Sequence, residues 1–126
     1  MPVLSLGGMR FQQSWKDLDV SEINQSTQYS LERILQKAFS NGLNHIETAR
    51  HYGSSERQLG WALENFSNPK QILQTKIPPH DDPNEFEEEL ELSFQRLKCK
   101  KLDLLAIHGI NLPEHLEKTI RPGGFL

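Results

Sequence analysis

Cysteine is nearly absent: Cys99 is the only one in 126 residues. An intramolecular disulfide and a cysteine-rich metal site are therefore excluded, which fits a reducing compartment. Long apolar runs are missing too. No stretch approaches the ~20 apolar residues of a membrane span, and Met1 to Gly8 has neither a basic flank nor a long apolar core. A soluble, cytoplasmic protein with no membrane partner is expected. Excess charge is small, at −3 overall, which argues against nucleic acid as a partner. The short basic stretch Lys98–Lys101 reads as a solvated helix end, where lysine complements the helix dipole. No P-loop and no GxGxxG fingerprint occurs, and the histidines at 45, 51, 80, 108 and 115 have no metal-ligand spacing.

What is present is a regular alternation of short apolar runs and amphipathic stretches. Val3 to Leu6 is predicted to be a strand ending in Gly7-Gly8, and Gln12 to Gln25 has no clear period. Leu31, Ile34, Leu35, Ala38 and Phe39 fall on one helical face, with Ser26 or Thr27 as a cap and Asn41-Gly42 as the stop. Leu43 to Thr48 is a second strand. Leu59, Ala62, Leu63 and Phe66 mark a second helix, opened by Ser54-Ser55 with Gln58 completing a capping box; Pro69 belongs to the turn after it. Gln71 to Ile77 is a third strand, stopped by Pro78-Pro79. Asp82-Pro83-Asn84-Glu85 opens a third helix, with Phe86, Leu90, Ser93, Phe94 and Leu97 inside and Glu87, Glu88, Glu89 and Glu91 on a solvated outer face. Leu102 to Ile107 reads as a strand covered on both faces, ended by His108-Gly109. Leu112 to Ile120 has room for a further short helix before Pro122-Gly123-Gly124.

This is an α/β chain of about four parallel strands joined by right-handed helical crossovers. It has two completions. An open, flavodoxin-like sheet fits the length; a closed (β/α)₈ barrel needs about 250 residues. In both, residues at the strand C-termini share one mouth. Tyr52, Lys76 and His108 all lie at or just past predicted strand ends. Singly, each has a bland reading: a loop tyrosine that packs, an edge lysine, a satisfied core histidine. Gly7-Gly8 alone reads as a tight turn. Together, a phenol, an ammonium and an imidazole form a proton-transfer set. Lys76 in a buried strand needs a carboxylate, and Glu47, at the matching level of the preceding strand, supplies one. An ammonium beside a phenol makes the hydroxyl a stronger acid, and an imidazole can orient a carbonyl oxygen. The segment Arg10 to Val20, including Trp15, either lines the mouth or packs on the surface.

The motifs Leu4-Ser5-Leu6-Gly7-Gly8-Met9, Asn41 through Gly53 with Ser55-Glu56 and Leu59-Gly60 after it, Gln74-Thr75-Lys76-Ile77 and Asp103 to His108 resemble the aldo-keto reductase family along the whole chain. The resemblance implies a (β/α)₈ barrel and NADPH-dependent reduction of a small aldehyde or ketone to an alcohol. By position it makes Tyr52 the general acid, Lys76 its activating ammonium, His108 the carbonyl-orienting group and Glu47 the counter-ion, where the family more often has Asp. It places Gly7, Gly8, Met9 and Glu47 against the cofactor. The Ala-Arg-x-Tyr-Gly variant looks like the branch whose longer members carry a C-terminal iron–sulfur cluster, whose cysteines do not occur here.

The resemblance also implies that residues 1–126 form a partial barrel domain, the N-terminal half, truncated after strand four. Strands that grip the adenosine phosphate would lie beyond it. Exposed barrel edges are then expected to favour self-association. The alternative to an enzyme is a catalytically inactive fragment serving at most as a binding or assembly module.

Overall fold

The computed structural model describes residues 3–66 and 70–124. Four strands, β1 (Leu6–Gly7), β2 (His45–Glu47), β3 (Ile72–Ile77) and β4 (Leu104–Ile107), alternate with four helices, α1 (Gln25–Ser40), α2 (Ser55–Asn65), α3 (Pro83–Leu97) and α4 (Pro113–Ile120). All neighbouring strands are parallel, in the order β1-β2-β3-β4. That order decides between the two completions. A doubly wound sheet reverses its strand order and places helices on both faces. Here every strand adds beside its predecessor, so right-handed crossovers bring α1, α2 and α3 to the same face. The flavodoxin-like option is thereby excluded, and the sheet is an arc of barrel wall.

Alternation along the strands separates the two faces. Leu73, Thr75 and Ile77 are buried, while Ile72, Gln74 and Lys76 are only half-buried. The first set meets the helices; the second lines the concave side. The helix-side core joins Phe11, Leu31, Leu35, Ile46, Leu59, Ala62, Leu73 and Leu97. Leu35 and Leu59 are completely buried, and each contributes roughly 1.5–3 kcal/mol of apolar burial. At Gly60 a Cβ would collide with the Arg96 carbonyl, so glycine sets how closely α2 approaches α3.

Several local expectations need correction. The first strand is not Val3–Leu6 but Leu6–Gly7, and a 3₁₀ turn, Gly8–Arg10, follows at once. The segment without a period contains a second 3₁₀ turn, Val20–Glu22, with Asp19 and Glu22 forming a capping box. The cap position of α1 is Asn24, not Ser26 or Thr27. Ser55 does not form a box with Gln58. Its hydroxyl instead donates to the Gly8 carbonyl at 2.9 Å and bonds Thr48, while Ser54 meets Gln58. Asp82 does cap α3, accepting from the Asn84 amide at 2.9 Å. The fourth strand is not covered on both faces: Leu105 is 41% exposed. The turn assigned to Pro69 lies outside the described residues. Among the described residues, no helix is long and apolar enough to cross a membrane.

Candidate active site

Parallel pairing puts directly opposed residues on the same face of the sheet. Gly7 is opposed to Glu47, Glu47 to Gln74, and Gln74 to Leu104. The level expected for Glu47 and Lys76 is therefore wrong by one pleat: the register neighbour of Glu47 is Gln74, and Lys76 lies two residues further on. The residues share the concave face, and the extra methylene of Glu47 relative to Asp helps its carboxylate reach along the diagonal to the Lys76 ammonium. His45 makes the same diagonal reach, meeting Gln74 Oε1 at 2.9 Å.

Lys76 Nζ also donates to the Tyr52 hydroxyl and to the Thr48 carbonyl, each at 3.1 Å. It sits 4.5 Å from the Tyr52 ring centroid. His108 follows β4 in sequence, its amide donating to the Ile77 carbonyl at 2.8 Å. Its ring stands edge-on to Tyr52, with centroids 5.4 Å apart. All four expected site residues are thus brought into one cluster.

Electrostatics follow from partial burial. Desolvation pulls the Lys76 ammonium down from its ordinary value to about 8. The Glu47 carboxylate in contact with it works in the opposite sense and favours the charged form. His108 is lowered by desolvation, with repulsion from Lys76 and His51 adding to it, which favours the neutral imidazole. A neutral imidazole beside a phenol can donate a hydrogen bond through its N–H without acting as a competing acid.

Gly7 lies on the concave row; a Cβ there would meet only Glu47 Oε2, at 3.7 Å. Gly8 is buried, and a Cβ would press on the Glu47 carbonyl at 2.7 Å, so its glycine is needed for packing against β2. Met9 is 40% exposed just past the end of β1.

The loop that carries Tyr52 is held by residues that the sequence pattern did not single out. Asp17 collects three arginines from three places: Arg50 two residues before Tyr52 at 3.6 Å, Arg57 of α2 at 2.9 Å and Arg96 of α3 at 3.0 Å. Partial burial would raise the Asp17 carboxyl, but hydrogen bonds from Arg96 and Arg57 and their charges prevail and hold it down at about 2. Arg50 also pairs with Glu89 at 2.8 Å, so Glu89 leaves the solvated face to which its acidic run assigned it. Gln13 adds amide bonds to Ser54 and Gln58, at 3.1 and 2.8 Å. Gly53, at φ +52°, lets the Ser14-Trp15 backbone lie directly against it. The Arg10–Val20 segment therefore packs on the Tyr52 loop, with Trp15 itself 65% exposed. Among the described residues no three His, Cys, Asp or Glu side chains gather as a metal site.

The comparisons agree with this architecture. The model of the aldo/keto reductase family matches residues 3–121. An uncharacterized oxidoreductase of Caenorhabditis elegans is 34% identical over 88 residues, which are 68% of this chain and 27% of that protein. D-arabinose 1-dehydrogenase of Saccharomyces cerevisiae is 32% identical over 128 residues, covering 90% of this chain and 36% of the yeast enzyme. Among solved structures, a putative aldo-keto reductase from Pseudomonas aeruginosa superimposes with a TM-score of 0.71 at 24% identity, over 94% of this chain and 48% of that one. An aldo/keto reductase from Klebsiella pneumoniae, solved in complex with NADP and acetate, gives 0.63 at 22% identity, over 94% and 41%. The chain spans less than half the length of these relatives. Its four strands and their helices match the N-terminal half of such barrels.

Proposed function

The chain belongs to the aldo/keto reductase family, and from that premise we propose that it supplies the proton-donating side of an NADPH-dependent reductase acting on small aldehydes or ketones. The observation that carries this reading is the bond from Lys76 Nζ to the Tyr52 hydroxyl at 3.1 Å, with Glu47 on the same ammonium.

Tyr52 Oη is the acid: its proton passes to the carbonyl oxygen as negative charge develops there. The Lys76 ammonium stabilises the phenolate left behind, and Glu47 keeps that ammonium charged in a partly desolvated place. Neutral His108, edge-on to Tyr52, donates a hydrogen bond to the same oxygen and fixes its direction. The open space at Gly7 beside Glu47 suits the flat reacting end of a nicotinamide cofactor, with Gly8 and Met9 bordering it. When bound, that group supplies a hydride for the carbonyl carbon.

The test is Tyr52→Phe, assayed by NADPH oxidation with a panel of small aldehydes and ketones. Loss of general-acid catalysis lowers kcat by about 10²–10⁴-fold, with the affinity for NADPH retained. Wild-type turnover in the variant would refute the assignment of Tyr52.

A further inference from the structure

Arg50 is bonded to both sides of the turn that carries Tyr52. Its main chain extends the β2–β3 ladder past Glu47: the Thr48 amide donates to the Gln74 carbonyl at 2.9 Å, and the Arg50 amide donates to the Lys76 carbonyl at 3.0 Å. The chain then turns at once, the Tyr52 amide donating to the Ala49 carbonyl at 3.0 Å. Arg50 thus ties the turn to the very residue whose ammonium the phenol meets. Its side chain makes a second attachment. The guanidinium, 12% exposed, pairs with Glu89 of α3 at 2.8 Å and with Asp17 of the first loop at 3.6 Å. Neither carboxylate belongs to the Tyr52 cluster. One residue of the turn therefore joins β3, α3 and the first loop.

We propose that Arg50 is the positioning residue of the general acid: fixed at its main chain and at its side chain, it holds the Tyr52 hydroxyl on Lys76 Nζ and the Tyr52 ring edge-on to His108. The catalytic meaning of this role rests on the assignment of Tyr52 as the acid. The need for it is physical. Tyr52 lies in a turn and not in a strand, next to Gly53 at φ +52°, and a displacement of about 1 Å at a reacting group can cost about 10²-fold in rate. A guanidinium suits the task, because its planar fork serves two carboxylates at once, where an ammonium is a single point charge. Mostly shielded from water, the Arg50 pairs are little screened by salt. Arg57 offers a comparison within the same network. It also pairs with Asp17, at 2.9 Å, but from within α2, where its own helix holds it.

The experiment reads ring contacts and not turnover, so its result is separate from the Tyr52→Phe assay. The chain has two tyrosines, and Tyr29, 62% exposed on α1, is an internal standard. In the 126-residue chain labelled in tyrosine and histidine, the Tyr52–His108 cross-peak of a nuclear Overhauser spectrum reports the edge-on contact, whose centroids lie 5.4 Å apart. Circular dichroism confirms that each variant is folded. Arg50→Met should abolish the cross-peak and leave the Tyr29 signals unchanged. Glu89→Gln, which removes one of the two anchors from the outside of α3, should weaken it, and Arg57→Met should leave it intact. A folded Arg50→Met with the wild-type cross-peak overturns the proposal. If that variant does not fold, Glu89→Gln decides in its place, and an undiminished cross-peak there overturns the proposal. Equal loss in Arg57→Met overturns it too, because the effect would then belong to Asp17 and not to Arg50. Wild-type turnover in Tyr52→Phe would remove the acid role of Tyr52 and leave this test of its placement standing.

Discussion

Glu47 and Lys76 meet across the diagonal of two parallel strands, not face to face: Gln74 occupies the position opposite Glu47, and the lysine lies one pleat beyond it. Side-chain length matters more on a diagonal than in direct opposition, because the carboxylate must also travel along the strand.

That geometry predicts unequal effects for two substitutions. Glu47→Gln keeps the reach and removes the charge, leaving only the neutral Thr48 carbonyl and Tyr52 hydroxyl to offset the desolvation of Lys76. Its ammonium should titrate below the wild-type value in an NMR pH series of labelled lysine, and the alkaline limb of any reductase activity should move down in pH with it. Glu47→Asp keeps the charge and shortens the reach, giving a smaller shift in the same direction. A Lys76 titration identical in Glu47→Gln and wild type would show that the pair has no electrostatic consequence.

Asp17 ties the first loop to α2, α3 and the Tyr52 loop. Its carboxyl is held at about 2, against an unfolded value of 3.8. A depressed carboxyl contributes stability that is complete above the unfolded value and is lost as pH falls towards the folded one. The contribution should therefore fade between about pH 4 and pH 2. Asp17→Asn should lose stability at pH 7 and show a flatter acid limb in urea midpoints. The loss at pH 7 is roughly 2–3 kcal/mol, below the ~3–5 of a fully buried pair, because the Asp17 side chain is 28% exposed.

Glu56 presents the opposite sign. It is completely buried, and the Thr75 hydroxyl donates to it at 2.7 Å. Desolvation raises its carboxyl above the ordinary value, outweighing its hydrogen bonds. A raised carboxyl contributes stability that is present below the unfolded value and lost as pH rises through the folded one. Glu56→Gln, similar in shape and without the charge, should remove that alkaline loss. Thermal midpoints are expected to converge at low pH and to favour the variant at higher pH.

Gly53→Ala tests the packing of the first loop on the Tyr52 loop. A Cβ there collides with the Ser14 carbonyl and sits at φ +52°. The variant should lose about 2–3 kcal/mol and expose the Arg10–Val20 segment to limited proteolysis. Wild-type cleavage would mean that the two loops are not coupled.

The sequence made much of this arrangement readable, for a physical reason. Burial repeats every second residue in Leu73, Thr75 and Ile77 and every third or fourth in Gln28, Leu31 and Leu35, so strands and helices announce themselves locally. The cluster of Glu47, Tyr52, Lys76 and His108 was legible because strand ends in a parallel sheet share one mouth. The one-pleat offset of Glu47 was not, since register depends on how two strands slide against each other. The structured loop from Phe11 to Asn24 was also hidden. It has no periodic core face, and its order comes from partners far along the chain, such as Arg96, 79 residues from Asp17. Glu89 was misplaced for the same reason: its own neighbours are glutamates, and only the fold delivers Arg50.

The consecutive strand order has a consequence for how the chain acquires its shape. Leu6 pairs with Ile46, Ile46 in turn with Leu73, and Thr75 with Leu105. Each new strand docks on one already made, and none waits for a later segment to be inserted beside it. The wall can thus grow from its N-terminal side as the polypeptide leaves the ribosome, one strand and helix at a time, with each addition closing a single strand–helix–strand crossover.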